Sequence, residues 1–261
     1  MRFAMNHIAT PTKSLAAFFE MSKALGISEV EIRNDLPDIL STMPPEDVKA
    51  QAAASGVTIA TINALYPFNV WSGDLPERAV AMADYAEACG AKALVMCPLN
   101  DGTEVSFDDL VAALHNMKPI LDARGLIGLV EPLGFPISSL RKKSTAIDAI
   151  KAAEGEGTYK LMHDTFHHHL ASETEFFPEW TGLVHISGVV DPDVSLADML
   201  DGHRVLVDAK DRLENIAQIK SLLDAGYTGA FSFEPFAPEV HNLTDGQTAL
   251  ETSIAYIKNT L

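Results

Sequence analysis

The sequence is short of the residue types that mark several protein classes. Its 261 residues include only two cysteines, Cys89 and Cys97, which excludes a disulfide scaffold and a cysteine-rich zinc module. Basic residues are also scarce, because 19 Lys and Arg stand against 36 Asp and Glu and give a formal net charge of −17. Such a charge repels phosphate backbones, so we expect no nucleic acid among the partners.

Long apolar runs and targeting signals are missing as well. No stretch reaches the roughly 18 apolar residues of a membrane helix, and the segment from Met1 to His7 carries no cleavage signal. Glycine (16) and proline (14) stay below the levels of disordered or collagen-like chains. We therefore expect a cytoplasmic globular protein that forms one domain over residues 1–261 and has no membrane partner.

Short apolar runs alternate along the chain with longer segments whose apolar residues recur about every 3.6 positions. This alternation predicts parallel strands joined by right-handed crossovers, and eight such units match an α/β protein with the (β/α)₈ TIM barrel fold. The predicted strands are residues 3–8, 29–33, 58–63, 93–98, 128–133, 160–165, 183–188 and 230–235. The predicted helices are residues 14–25, 45–54, 76–89, 107–123, 144–153, 213–225 and 245–261.

The sixth unit fits this pattern least well. The run His167-His168-His169 follows the sixth strand, and the acidic and aromatic stretch 173–180 is predicted to be a short, poor helix. Residues 189–212, after the seventh strand, are predicted to be mostly loop. An open, doubly wound sheet is the alternative architecture, but the glycine-rich turn typical of its dinucleotide-binding members is missing.

Metal-ligand side chains stand at the ends of four consecutive predicted strands. In a TIM barrel the chemistry lies at these carboxyl ends, and strand alternation allows each of the four side chains to point into the barrel. Three buried carboxylates stay ionised together only when a cation compensates them. We therefore predict one divalent metal ion, for which Mn²⁺, Zn²⁺, Co²⁺ and Mg²⁺ are all suitable. The predicted ligands are Glu131, Asp164, His185 and Glu234.

Other polar side chains near the strand ends are candidates for binding substrate hydroxyl groups. His167 lies one turn after Asp164 and can reach the same pocket, whereas His168 and His169 are expected to point elsewhere. Trp71, in the loop after the third strand, could cover the apolar face of a sugar, or it could simply pack within the loop. The remaining candidates for substrate binding are Glu31, Asn63 and Arg204.

The four predicted ligands, with Asp-Thr-Phe-His at 164–167 and Asp-Gly-His-Arg at 201–204, resemble the xylose-isomerase-like barrels and, among these, the inosose isomerases. The resemblance spans essentially the whole chain. It implies a divalent cation held by the four ligands, with His167 and Arg204 beside the substrate. The sequence departs from the family's pattern in two places. Ile137 stands where epimerases carry a glutamate, and residues 207–210 replace the usual Pro-Gly-acid-Gly loop.

The resemblance implies an enzyme of carbohydrate metabolism, in inositol catabolism, that isomerises a keto-polyol or ketose. Glu131 and Glu234 would be its catalytic acid and base, moving a proton through a metal-stabilised enediolate. The partner would be a small polyol or sugar, and assembly into a homo-oligomer is left open.

Three other activities occur on the same barrel. A ketose 3-epimerase and a 3-dehydroshikimate-type dehydratase share the proton abstraction. An abasic-site endonuclease would bind further metal ions, here through Asp201, His203 and His167, but the charge of −17 argues against it.

Overall fold

Eight parallel strands follow one another around a closed barrel, in which the last strand pairs with the first. This is the architecture of the computed structural model, which describes residues 1–36 and 42–261, and it confirms the predicted (β/α)₈ TIM barrel. The strands are β1 (Arg2–Asn6), β2 (Glu29–Arg33), β3 (Thr58–Leu65), β4 (Ala93–Met96), β5 (Ile127–Val130), β6 (Tyr159–Asp164), β7 (Thr181–Ile186) and β8 (Ala230–Phe233).

Helices lie between the strands and cover the outside of the barrel. Several begin and end at the residues that local chemistry favours: α2 has Pro45 at its first position, where the missing N–H costs nothing, and stops at Gly56 in the left-handed region (φ 73°). The helices are α1 (Leu15–Ala24), α2 (Pro45–Ser55), α3 (Leu75–Cys89), α4 (Phe107–Asp122), α5 (Lys143–Ala152), α6 (Thr165–Leu170), α7 (Asn215–Asp224), α8 (Pro238–His241) and α9 (Gly246–Thr260). No helix within the described ranges is both long and apolar enough to cross a membrane.

The interior of the barrel is apolar in its lower part and polar at the carboxyl ends of the strands. Its lower part is filled by a cluster of small and medium apolar side chains, among them Ala4, Ala93, Leu129, Met162 and Leu183. The strand alternation then places polar side chains above these layers, at the carboxyl ends of the strands. A separate and larger apolar core lies between the strands and the helices. The apolar layers therefore form the floor of a polar mouth.

The sixth helix does not lie where the sequence pattern placed it. Helix α6 begins directly after β6 and includes the histidine run, whereas residues 173–180 form turns and irregular backbone. The Asp164 carboxylate accepts hydrogen bonds from the backbone N–H groups of Phe166 and His167, which starts the helix at once. Ser172 adopts a left-handed conformation (φ 51°) shortly after α6 ends. The prediction of a helix over 173–180 is therefore wrong.

Candidate metal centre

Four metal-ligand side chains converge at the carboxyl mouth of the barrel. Asp164 ends β6 and His185 is the last but one residue of β7, while Glu131 and Glu234 directly follow β5 and β8. One ligand atom from each lies within 4.8 Å of all the others, and the four side chains are buried. They form the one such group found among residues 1–36 and 42–261.

The imidazole of His185 stands at the centre of this group. Its Nδ1 atom lies 3.1 Å from Glu131 Oε1, 3.0 Å from Glu234 Oε2 and 3.8 Å from Asp164 Oδ2. Its Nε2 atom lies 3.0 Å from Oε1 of Glu31, on the opposite side of the ring. The Nδ1 edge therefore faces the three carboxylates that end the neighbouring strands.

His185 and the carboxylate of Glu234 shift each other's pKa. Burial alone would lower the pKa of His185, but the carboxylates of Glu234, Glu31 and Glu131 raise it well above its usual range. Burial would likewise raise the pKa of Glu234, yet His185 and two arginines lower it to about 2. The negative potential at this point is therefore strong enough to hold a positive charge on or beside the imidazole.

Arg204 connects two of the ligand carboxylates. Its Nη2 atom donates to Asp164 Oδ2 at 2.6 Å and to Glu234 Oε2 at 3.0 Å, and its Nε donates to the hydroxyl of Ser187. The guanidinium also faces the ring of Phe236 at 4.7 Å. Arg204 is 1% exposed, so the departure at residues 207–210 leaves it firmly placed in the site.

The second oxygen atoms of the two glutamates differ in their surroundings. Oε1 of Glu234 accepts from Asn6 at 3.1 Å, from Asn63 at 3.3 Å and from Arg33 at 3.2 Å. Oε2 of Glu131 accepts from the thiol of Cys97 at 3.3 Å, and a thiol is a weak donor. Oε1 of Glu234 is thus occupied by three donors, whereas Oε2 of Glu131 has one weak donor.

The charges and donor types in the site fit a divalent cation. The site contains four buried carboxylates, those of Glu31 and the three acidic ligands, and two buried guanidinium groups, those of Arg33 and Arg204. With a neutral His185, two negative charges are left uncompensated, which is the charge that a divalent ion supplies. Nδ1 of His185 lies 3.0–3.8 Å from one oxygen of each acidic ligand, which is near the spacing of roughly 3–3.6 Å between ligand atoms that share an ion with bonds of about 2.0–2.2 Å. The residues therefore could hold a metal ion, and they do not distinguish zinc from manganese, cobalt or magnesium.

A cavity of about 420 Å³ opens beside this group, and two of the four side chains, Glu131 and Glu234, line it. Its wall includes Asn63, His167 and Arg204, so the structure brings these three predicted substrate-binding residues to one space. Nδ1 of His167 is buried there without a partner among the described residues. Further polar groups on the same wall come from Asn34, Tyr66, Asn100 and Asp201.

Two residues predicted to bind substrate lie elsewhere. Glu31 is fully buried beneath His185, where its carboxylate also accepts from Thr61 and Ser232, so it is outside the cavity wall. Trp71 borders a separate surface depression beside Leu99 and packs against the core. Neither residue is thus among those that line the cavity.

The further metal set considered for an endonuclease is not assembled among the described residues. Asp201 forms an ion pair with Arg204 at 3.1 Å, and Nδ1 of His203 accepts from the backbone of Leu200.

Three site residues escaped the sequence interpretation: Asn6, Arg33 and Cys97. Asn6 and Arg33 stand at polar strand ends, which was a usable signal, whereas nothing in the sequence distinguishes Cys97 from a core cysteine.

The fold and this donor set together define a TIM barrel with a candidate divalent-metal site at its carboxyl mouth. The chain belongs to the xylose isomerase-like TIM barrel family, whose sequence profile matches residues 19–260. An inosose isomerase of Bacillus licheniformis is 24% identical over 276 residues, with 98% of each chain covered.

Solved structures show the same architecture. A xylose isomerase domain containing protein from Salmonella typhimurium is 35% identical and superposes with a TM-score of 0.92, covering 99% of this chain and 97% of that one. The IolI protein, whose structure was determined with a bound zinc atom, has a TM-score of 0.87 at 20% identity and covers 100% and 99% of the two chains. D-psicose 3-epimerase from Clostridium cellulolyticum is more distant, with a TM-score of 0.73 at 15% identity and coverage of 98% and 99%.

Proposed function

We propose that the chain is a divalent-metal-dependent isomerase that moves the carbonyl group of a keto-polyol or ketose, with an inosose-like substrate. The observation that carries this proposal is the convergence of four buried candidate ligands, two of which line a cavity whose wall also holds amide, imidazole and guanidinium groups. Similarity to inosose isomerases along 98% of the chain, and the zinc atom bound by the IolI protein, support the choice of substrate and cofactor. The proposed partner is thus a small neutral polyol rather than a macromolecule.

The ion would be held by Glu131, Asp164, Nδ1 of His185 and Glu234. When bound, it would stabilise the negative charge that develops on the carbonyl and hydroxyl oxygens of the substrate as a proton leaves the hydroxyl-bearing carbon next to the carbonyl. Glu131 and Glu234 stand at the two ends of the ligand-bearing arc of strands, and we assign them as the acid and base. Of the two, Glu131 has the less occupied oxygen, because its Oε2 accepts only from a thiol whereas Oε1 of Glu234 accepts from three donors.

The remaining polar groups orient the substrate. His167, Asn63 and Arg204 reach the cavity and would hydrogen-bond hydroxyl groups. Both buried arginines are already paired with carboxylates: Arg33 with Asp35 and Glu234, and Arg204 with Asp164 and Glu234. These pairs leave little positive charge for an anionic substrate, which favours a neutral polyol over a carboxylate or phosphate.

The test is exchange of the substrate's α proton with D₂O, followed by NMR on a panel of inososes and ketohexoses. We expect Glu131→Gln and Glu234→Gln to slow exchange by about 10²–10⁴-fold, while Glu239→Gln, an exposed change just beyond β8, keeps the wild-type rate. Elemental analysis of each variant separates loss of the ion from loss of proton transfer. Wild-type exchange in a variant that retains its metal would remove that glutamate from the acid and base pair.

The same panel distinguishes the related reactions. An epimerase would return the ketose with one inverted carbon, and a dehydratase would release water and form protocatechuate from 3-dehydroshikimate. Ile137, at the position where epimerases carry a glutamate, is 53% exposed and apolar, which favours the isomerase.

A further inference from the structure

A buried polar cluster lies behind the metal centre, on the outer face of β6. It consists of Lys143, His163, His168 and Glu173, with the ring of Phe176 packed over it. These residues line no part of the substrate cavity, and the proposed reaction does not use them. Lys143 is 3% exposed, so its ammonium group is removed from water.

The ammonium group of Lys143 is held by three acceptors. Its Nζ atom lies 2.6 Å from Nδ1 of His168, 3.1 Å from Nδ1 of His163 and 3.5 Å from Oε2 of Glu173. An ammonium group has three N–H donors, so both imidazoles must accept through Nδ1 and carry their proton on Nε2. Nε2 of His163 accordingly donates to Oε1 of Gln218 at 3.0 Å.

The network then continues to the backbone beside the metal ligand. The side-chain amide of Gln218 donates to the carbonyl oxygen of Thr165 at 3.0 Å, and Thr165 directly follows Asp164. The other carboxylate oxygen of Glu173 accepts from the backbone N–H of Lys143 at 2.9 Å, at the first turn of α5. A continuous set of hydrogen bonds thus connects α5, β6, α6 and α7.

The residues of this segment alternate between the two sides of the barrel wall. Asp164 and His167 face the metal centre and the cavity, whereas His163 and His168 face Lys143. A contact that fixes His163 and His168 therefore also fixes the backbone that carries Asp164 and His167. This connection is covalent and short, because each pair of neighbours is adjacent in the chain.

A buried charge of this kind is weak evidence for a purely stabilising role. Burial lowers the pKa of Lys143 to about 8, against the attraction of Glu173, which shows that the ammonium group is costly to keep in place. Apolar residues of similar volume often replace buried ion pairs without loss of stability. The specific gain from Lys143 is the fixed direction of its three hydrogen bonds.

We propose that Lys143 is a positioning residue for the metal centre, holding Asp164 and His167 in place through His163 and His168 from the opposite face of β6. This inference rests on the metal site of the proposed function. It assigns a role to His168, for which the sequence indicated none, and to a lysine outside the cavity.

Titration of the metal-free protein with Co²⁺ tests the proposal without requiring a substrate, because the visible absorption of the bound ion reports both affinity and coordination geometry. We expect Lys143→Met to weaken Co²⁺ binding by about 10–100-fold and to change the absorption spectrum. Lys142→Met, at the exposed neighbouring lysine, is the matched control and should bind as the wild type does.

A second pair of variants covers the case in which Lys143→Met does not fold. His168→Leu removes the closest acceptor of Lys143, whereas His168→Asn keeps an acceptor oxygen near the position of Nδ1. We expect the leucine variant to bind Co²⁺ weakly and the asparagine variant to recover affinity to within about threefold of the wild type.

The outcomes distinguish failure of the positioning role of Lys143 from failure of the metal centre itself. Folded variants that melt at a lower temperature but bind Co²⁺ with wild-type affinity and spectrum would overturn the positioning role and leave the metal centre intact. Wild-type protein that binds no Co²⁺ would overturn the metal centre, and this inference with it.

Discussion

His185 is held from both edges of its ring, and this determines which nitrogen is free for an ion. Nε2 faces Glu31, whose carboxylate also accepts hydrogen bonds from Thr61 and Ser232. An imidazole that binds a metal through Nδ1 must carry its proton on Nε2, and Glu31 is placed to accept a hydrogen bond from this N–H group. We therefore infer that Glu31 would act on a bound ion through His185 rather than on the substrate.

Replacing Glu31 by glutamine tests this arrangement. Glu31→Gln keeps the volume of the side chain but removes the charge behind Nε2, so we expect Co²⁺ or Zn²⁺ to bind about 10–100-fold more weakly. The measurement is competitive titration of the metal-free protein with a chromophoric chelator. Glu29→Gln, two residues earlier on β2 and paired with Arg2 near the surface, should bind as the wild type does. Equal affinities in the two variants would contradict the role of Glu31.

The sequence was sufficient to predict that the four candidate ligands meet, but not which partners lie behind them. Alternation along a strand determines which side chains enter the barrel, so Asp164 and His185 could be assigned from their own strands. Whether Glu31 meets an imidazole or a substrate depends instead on the stagger between β2 and β7, which lie on different parts of the barrel. That stagger is a property of the closed sheet, and no local pattern in the chain carries it.

At the scale of elements, the loop after β5 and helix α6 are packed without space between them. A Cβ atom at Gly134 would lie 2.2 Å from the carbonyl oxygen of His167 and 2.8 Å from Cβ of Leu170. The loop carries Glu131 three residues earlier, and the helix carries His167. The absence of a side chain at Gly134 thus sets the distance between two segments of the site.

Gly134→Ala should therefore force these segments apart. Because the nearest atom belongs to the backbone and cannot rotate away, we expect a loss of about 1–3 kcal/mol in the free energy of unfolding, together with weaker metal binding. Urea denaturation measures the first quantity and Co²⁺ titration the second. Gly246→Ala at the start of α9, where an added Cβ meets nothing within 4 Å, should leave both unchanged. If the Gly134→Ala protein were as stable as the control, the loop would be able to move away from α6 without a loss in the free energy of unfolding.

Elements with long periodic patterns were predictable, and α6 and α8 were not. Helix α6 has six residues, and its N-cap is Asp164. Because the sequence presents Asp164 as a metal ligand, its second role as a helix cap was not predicted. Helix α8 has four residues and is shorter than two turns. In both cases tertiary contacts stabilise a helix that its own sequence would not sustain.

On the scale of the whole molecule, the candidate metal centre spans half of the barrel. Its candidate ligands come from the ends of β5, β6, β7 and β8. The carboxylate of Glu234 also accepts hydrogen bonds from Asn6, Arg33 and Asn63, which lie on β1, β2 and β3. An ion at this point would neutralise the repulsion among carboxylates drawn from three of the ligand-bearing strands, β5, β6 and β8. Its binding should therefore stabilise the closed barrel as a unit rather than one loop.

Removing the ion should consequently lower the melting temperature of the whole chain. A ligand present at about 1,000 times its Kd stabilises the folded state by about 4 kcal/mol, and each kcal/mol shifts the melting temperature of a barrel of this size by about 2–4 °C. We expect a chelator to lower the transition by on the order of 10 °C, and Zn²⁺ or Mn²⁺ to restore it. In His185→Asn the chelator should have little effect, because the central ligand is altered and the ion is already bound weakly. Identical transitions of wild-type protein with chelator and with metal would mean that these four side chains hold no ion, whatever the geometry of their approach.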